Sequence, residues 1–310
     1  MLLIAAIPAR RSTPPPAPPP PPPIAWQGDQ HEVLVVQGQW LERDVSRAPK
    51  AAWLELYAPG GVDRSFRGWL SNAALNMRYA QQHGYAYQMY GYTGPSKVTH
   101  ACSHPTRGPT FSNWCKVLAM LHALDHYPRH LYYFWLDSDA VVRSFHMSFK
   151  HFLATTRLTN QTHTRENCGM PTSRRALDEP RPVIMLWHNT PYGCAGTTGN
   201  FIVRRSRAGL QAMRDWWGWS GEAVGSSDQG SFNLHIATGE HRDAIHVLAD
   251  DSTHIVSGQS HLQYVLHRCS GCGWLPSQHD VWSETARLNR VTNASMLATM
   301  AQVVAEIITI

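Results

Sequence analysis

An apolar run from Leu131 to Leu136 that stops abruptly at Asp137-Ser138-Asp139 is the feature that most constrains this chain. The run reads as a buried strand, and the segments ahead of it say what kind of sheet it joins. Val33–Val36 and Ala52–Tyr57 read as strands, the second closed by Pro59-Gly60-Gly61. Ser71 to His83 predicts a helix, capped by Ser71 or Asn72, with Leu75, Tyr79 and Gln82 along one face and Gly84 as its stop. Tyr85–Tyr90 returns as a strand, and a loop rich in Gly, Pro, His and Thr fills Gly91–Thr110. A second helix is predicted over Ser112–Tyr127, with Val117, Leu118, Leu121 and Leu124 at helical spacing and Pro128 ending it. Strands alternating with helices in this way predict an α/β domain around a largely parallel sheet.

If the strand period carries on past Leu136, Asp137 and Asp139 point to one side and Ser138 to the other. The pair stands at the carboxyl end of its strand, where open α/β sheets place their ligands. Neighbouring carboxylates repel, and a divalent cation relieves the repulsion; oxygen ligands suit Mn²⁺ or Mg²⁺. A cation there can bridge a diphosphate and neutralise the charge that grows as a nucleotide leaves. Other readings of the same residues exist. Asp-Ser-Asp can be an ordinary strand-end turn. It can also be the nucleophile motif of a haloacid-dehalogenase-type phosphatase, with Asp137 attacking and Asp250-Asp251 as a second acidic pair. Against that stand the long α/β stretch ahead of the strand and Ala140 where Thr or Val is usual. The proline run and abundant tryptophan also allow a non-catalytic carbohydrate-binding protein.

Charge narrows the partners. A net charge of +5 with 27 scattered Lys and Arg forms no basic stripe, so nucleic acid is not expected, while an anionic small substrate is. An even number of cysteines, six in all, and the sequons at Asn160 and Asn293 fit a secretory compartment, though reduced core thiols fit the cysteines equally. Residues 1–25 hold the apolar start Met1–Ile7, Arg10-Arg11 and the proline run Pro14–Pro23. They read either as a stiff stalk behind a membrane anchor whose start is missing, or as a low-complexity tail. Residues 26–283 form the expected globular domain. Residues 284–310 predict an amphipathic helix packed on the body, with Leu288, Val291, Leu297, Met300, Val304 and Ile307 near one stripe.

Three blocks in order carry a resemblance. Asn113-Trp114-Cys115-Lys116 leads through the strand to Val142; Thr198-Gly199-Asn200-Phe201-Ile202-Val203-Arg204-Arg205-Ser206 precedes Trp216-Trp217; and Ser227-Asp228-Gln229-Gly230-Ser231-Phe232-Asn233 follows. Together they resemble glycosyltransferase family 34, the fungal galactosyl- and mannosyltransferases and plant xyloglucan xylosyltransferases. The chain departs from that pattern at Asn200, where Ser is usual, and at His267-Arg268-Cys269-Ser270-Gly271-Cys272, one residue longer than the family's late motif.

The resemblance implies a GT-A fold, a Rossmann-like nucleotide-sugar-binding domain around a mixed, mainly parallel sheet. It implies a UDP- or GDP-sugar donor, a glycan or glycoprotein acceptor, Mn²⁺, retention of anomeric configuration, and a Golgi-luminal, type II membrane or secretory location. His267 becomes the expected third metal ligand after Asp137 and Asp139, with His254 and His261 as rivals. Asp228 and Gln229 become candidates for the reacting face of the sugar; otherwise Asp228 caps the helix expected over 230–237. Ser138, Gly199 and Asn200 fall where substrate would lie. Lys116 has two readings, a diphosphate contact or a surface lysine reaching into water. For Cys269 and Cys272 a disulfide is expected rather than half of a zinc site.

Overall fold

The apolar run becomes the fourth of seven strands in the main sheet of the computed structural model. The structure describes residues 32–41, 67–97, 100–155, 184–188, 196–220, 228–237, 239, 241, 245–248, 265–267 and 285–310. In chain order the elements are β1 (Val33–Trp40), α1 (Arg67–Gln82), β2 (Ala86–Tyr92), β3 (Cys102–His104), β4 (Gly108–Thr110), α2 (Ser112–His126), β5 (Tyr132–Asp137) and β6 (Ala140–Val142). They continue with α3 (Phe149–Thr155), β7 (Ile184–His188), β8 (Gly196–Arg204), α4 (Arg207–Gly218), α5 (Asp228–Ser231), a π-helical turn (Phe232–Ile236), β9 (Ile245–Leu248), β10 (Val265–His267), α6 (Asn293–Glu306) and β11 (Ile308–Thr309).

The main sheet runs β11-β2-β1-β5-β8-β7-β9. β8 is antiparallel to both of its neighbours, and the other pairs are parallel. The expected α/β class with a mixed, mainly parallel sheet is therefore what the chain adopts. β6 pairs with β10, and β3 with β4, in separate two-stranded ribbons.

Alternation along the central strands feeds two cores. Val33, Val35, Phe134 and Leu136 face one way, against Ala73 and Met77 of α1 and Met300 and Val304 of α6. Leu34, Val36, Tyr133 and Trp135 face the other way, against Val117 and Met120 of α2 and Ala212 and Met213 of α4. Full burial of each large apolar side chain contributes about 1.5–3 kcal/mol, so the two layers hold β1 and β5 rigidly. The chain passes from β1 to the neighbour on one side, β2, and then back across to the neighbour on the other side, β5. Helices α2 and α1 lie on opposite faces there, so the carboxyl ends of β1 and β5 flank the topological switch point where such sheets bind ligands.

Several boundaries differ from expectation. α1 begins at Arg67, so Ser71 and Asn72 lie buried inside it rather than capping it. A short polar residue marks a cap only when the local backbone needs it; here Asn72 bonds to a distant carbonyl instead. The helix expected over 230–237 is α5 followed by the π-helical turn. The single helix expected over 284–310 is a helical turn at 285–288, then α6, then β11, which joins the main sheet beside β2. Arg290, at φ 55°, lies in the left-handed region and separates the turn from α6, which Thr292 caps by accepting from the Ser295 amide at 3.2 Å. Leu288 and Leu297 are exposed, while Met300, Val304 and Ile307 are buried. The strand expected at Ala52–Tyr57 lies outside the described residues, as do residues 1–25.

Candidate active site

Asp137 is the last residue of β5, paired in register with Gly38 of β1. Its carboxylate faces the same side as Trp135, two residues back, whose indole Nε1 donates to Oδ1 at 2.7 Å. Its main-chain carbonyl accepts from Gln37 Nε2 at 3.0 Å. The strand period goes no further: Ser138 and Asp139 form a turn between β5 and β6. The alternation argument that put Asp137 and Asp139 on one side therefore does not reach Asp139. Two asparagines of α1 hold this turn. Asn72 Nδ2 donates to the Ser138 carbonyl at 3.1 Å, and Asn76 Nδ2 to the Ala140 carbonyl at 2.9 Å. Asn76 Oδ1 accepts the Val142 amide at 2.9 Å, and Gln37 Oε1 accepts from Asn76 Nδ2 at 3.2 Å and from the Tyr87 hydroxyl at 2.9 Å. The three amide side chains are buried, and the Asn76 bonds lie wholly in the interior, where they hold the turn most firmly.

Lys116 corrects a second expectation. It is no surface lysine: its side chain is 8% exposed, and its Nζ lies 3.0 Å from Asp137 Oδ1 and 3.1 Å from Asp228 Oδ2. The same ammonium donates to the Thr198 carbonyl at 3.1 Å. Burial alone would favour the neutral amine, but the carboxylates of Asp137 and Asp228 reverse this and raise its pKa above the usual lysine range. Three acceptors meet the three donors of the ammonium.

Asp228, 3% exposed, opens α5. Its Oδ2 accepts from the Thr198 hydroxyl at 2.6 Å, and its carbonyl from Trp216 Nε1 at 3.1 Å. The carboxylate anticipated as a helix cap is thus turned to Thr198 and Lys116. Gln229 Oε1 accepts the Thr198 amide at 3.3 Å. Gly199 and Asn200 follow Thr198 on β8, where the pairing with β7 shifts register between Leu186 and Trp187. Asn200 is fully buried, and neither of its side-chain polar atoms has a partner among the described residues.

His267 ends β10 directly opposite Ala140, the residue after Asp139. The strand pairing thus brings the chain's late histidine motif to the acidic turn. His254, His261, Asp250, Asp251, Cys168, Cys194, Cys269 and Cys272 lie outside the described residues. Among the described residues no group of three or more His, Cys, Asp or Glu is gathered as a metal cage.

The fold brings together Asp137, Lys116, Asp228, Gln229 and the strand carrying Gly199 and Asn200. Sequence reading missed the braces: Gln37, Asn72, Asn76, Thr198 and the indoles of Trp135 and Trp216. Only Trp135 had a local signal, since a residue two before Asp137 on a strand shares its face. A disulfide between Cys102 and Cys115, with Cα atoms 5.8 Å apart, was also missed. It ties β3 to the first turn of α2, one residue before Lys116.

The chain belongs to the galactosyl transferase GMA12/MNN10 family, which it matches over residues 69–268. It is a glycosyltransferase, an enzyme that moves a sugar from a donor to a glycan acceptor. That membership sets aside the phosphatase and the non-catalytic carbohydrate-binding readings. Among solved structures it is similar to a glycosyltransferase involved in glycosylation of the major capsid of PBCV-1, at 14% identity and a TM-score of 0.47, over 82% of this chain and 98% of that one. It is also similar to the glycosyltransferase GlyE of Streptococcus pneumoniae TIGR4, at 13% identity and a TM-score of 0.41, over 86% of this chain and 63% of that one. No curated protein sequence matches it.

Proposed function

We propose that the enzyme uses a nucleoside-diphosphate sugar and Mn²⁺, or Mg²⁺ in its place, and transfers the sugar with retention of configuration. Asp137, Asp139 and His267 would hold the cation. The observation that carries this is the β6–β10 register, which sets His267 opposite Ala140 beside the acidic turn. The donor set, two carboxylates and an imidazole, suits Mn²⁺. Charge agrees: Asp137 and Asp228 bring two carboxylates to the one ammonium of Lys116, and Asp139 follows Asp137 in the same turn. The cation would neutralise diphosphate charge as the nucleotide leaves.

The chain's own residues do the rest. Lys116 spans the cation-side carboxylate and the Asp228 carboxylate, so it positions both rather than gripping the phosphates. Ser138, Gly199 and Asn200 would be the substrate contacts. Asp228 and Gln229, both bonded to Thr198, stand on the reacting face of the sugar. Because Asp228 is buried and tied to Thr198 and Lys116, it orients rather than attacks. Retention then follows from attack of the acceptor hydroxyl on the face that the phosphate leaves, the departing phosphate taking the proton. The Cys102–Cys115 disulfide favours an oxidising, luminal compartment, such as the Golgi, over a reducing one. Among the described residues no helix is long and apolar enough to cross a membrane.

Calorimetric titration with UDP and with GDP, each with and without Mn²⁺, tests the proposal. The wild type should bind one of them only with the cation, and Asp137→Asn should lose that binding while keeping a folded circular-dichroism spectrum. Binding indifferent to Mn²⁺, or no binding of either nucleotide, would overturn it.

A further inference from the structure

The last residue of β2, Tyr92, does something the packing alone does not require. Its ring leans back across β1 at Gly38, the residue paired with Asp137. A Cβ at Gly38 would overlap the Tyr92 hydroxyl and stand 2.9 Å from Cη2 of Trp135. Glycine is therefore the residue that lets the phenol reach this point. The tyrosine is 3% exposed, and its hydroxyl has no hydrogen-bond partner among the described residues. Its main chain is fixed as well, the Leu41 amide donating to the Tyr92 carbonyl at 2.8 Å. Burial first, then the charge of Asp137, raises its pKa well above the usual phenol value, so the hydroxyl stays a neutral donor.

A buried hydroxyl without an acceptor destabilises the unliganded chain, and phenylalanine would fill the same volume without that penalty. The orphan donor lies at the carboxyl ends of β1 and β5, at the switch point of the sheet. The nearby indole of Trp135 is already turned to Asp137.

We infer that the Tyr92 hydroxyl is a binding contact for the sugar donor, donating a hydrogen bond to an oxygen of its nucleoside diphosphate from the place that Gly38, having no side chain, leaves for the phenol. This rests on the nucleotide-sugar reading above. It adds a residue from β2, outside all three blocks that carry the family resemblance.

Tyr92→Phe tests it, with UDP and GDP titrated in the presence of Mn²⁺ and the melting temperature measured without ligand. Nucleotide binding should weaken roughly tenfold, the loss of one hydrogen bond, while the unliganded variant melts at the wild-type temperature or above it. Wild-type affinity in Tyr92→Phe would overturn the inference and leave the nucleotide reading intact. A lower melting temperature in the variant would show that the hydroxyl is satisfied within the fold, and would overturn it too. No nucleotide binding by the wild type would remove both readings together.

Discussion

Lys116 holds together two carboxylates that would otherwise repel. Replacing it by methionine keeps the length and apolar stem but leaves Asp137 facing a buried Asp228 without a counter-charge. Breaking a buried ion pair in this way costs about 3 kcal/mol, so Lys116→Met should unfold at clearly lower urea concentration. The pH dependence has a definite sign. A lysine whose folded pKa is raised stabilises fully below its unfolded value of 10.5, and the contribution is lost as pH climbs through the higher folded value. The gap between wild type and Lys116→Met in urea midpoints should thus be constant near neutrality and shrink above pH 10.5. A gap unchanged at alkaline pH would mean that the ammonium contributes packing alone.

At the scale of elements, the Cys102–Cys115 disulfide closes a loop with a sequence separation of 13 around β3, β4 and the start of α2. Closing a loop of this size stabilises by about 3 kcal/mol, chiefly by restricting the unfolded chain. A Cys102→Ala/Cys115→Ala double variant should melt several degrees lower, and its catalytic rate should fall because the α2 turn bearing Lys116 loosens. An unchanged melting temperature would count against the crosslink. What was legible in the sequence sorts by range of interaction. Helix α2 runs from Ser112 to His126 against an expected Ser112–Tyr127, and β5 from Tyr132 to Asp137 against Leu131–Leu136, because apolar period and proline are local signals. At Ser138–Asp139 the sequence left a continued strand and a turn both open, because what holds the turn, Asn72 and Asn76, stands some sixty residues earlier, at separations of 66 and 64. Lys116 was misread for the same reason: its partners come from β5, β8 and α5. The cysteine pair was visible only as two of six, with nothing local to match them.

Across the whole molecule, the sheet is closed at one edge by its latest strand. Ile308 pairs with Tyr90 and Thr309 with Gly91, the Ile310 amide donates to the Gly91 carbonyl at 3.0 Å, and Ile307 is buried beneath. Removing residues 307–310 would strip about 2 kcal/mol or more of apolar burial and open the backbone of β2 to other chains. The truncated enzyme should therefore melt lower and form larger species on size-exclusion chromatography as concentration rises. A truncated protein as stable and monodisperse as the full chain would show that the edge needs no cover.

That edge strand also sets the timing of assembly during synthesis. The strand that covers β2 is made more than two hundred residues after β2 itself, as the separation of 218 between Gln88 and Glu306 at this seam illustrates. Until β11 has been made the outer side of β2 is an open template, so the nascent chain depends on chaperones or on solubilising neighbours until that strand docks.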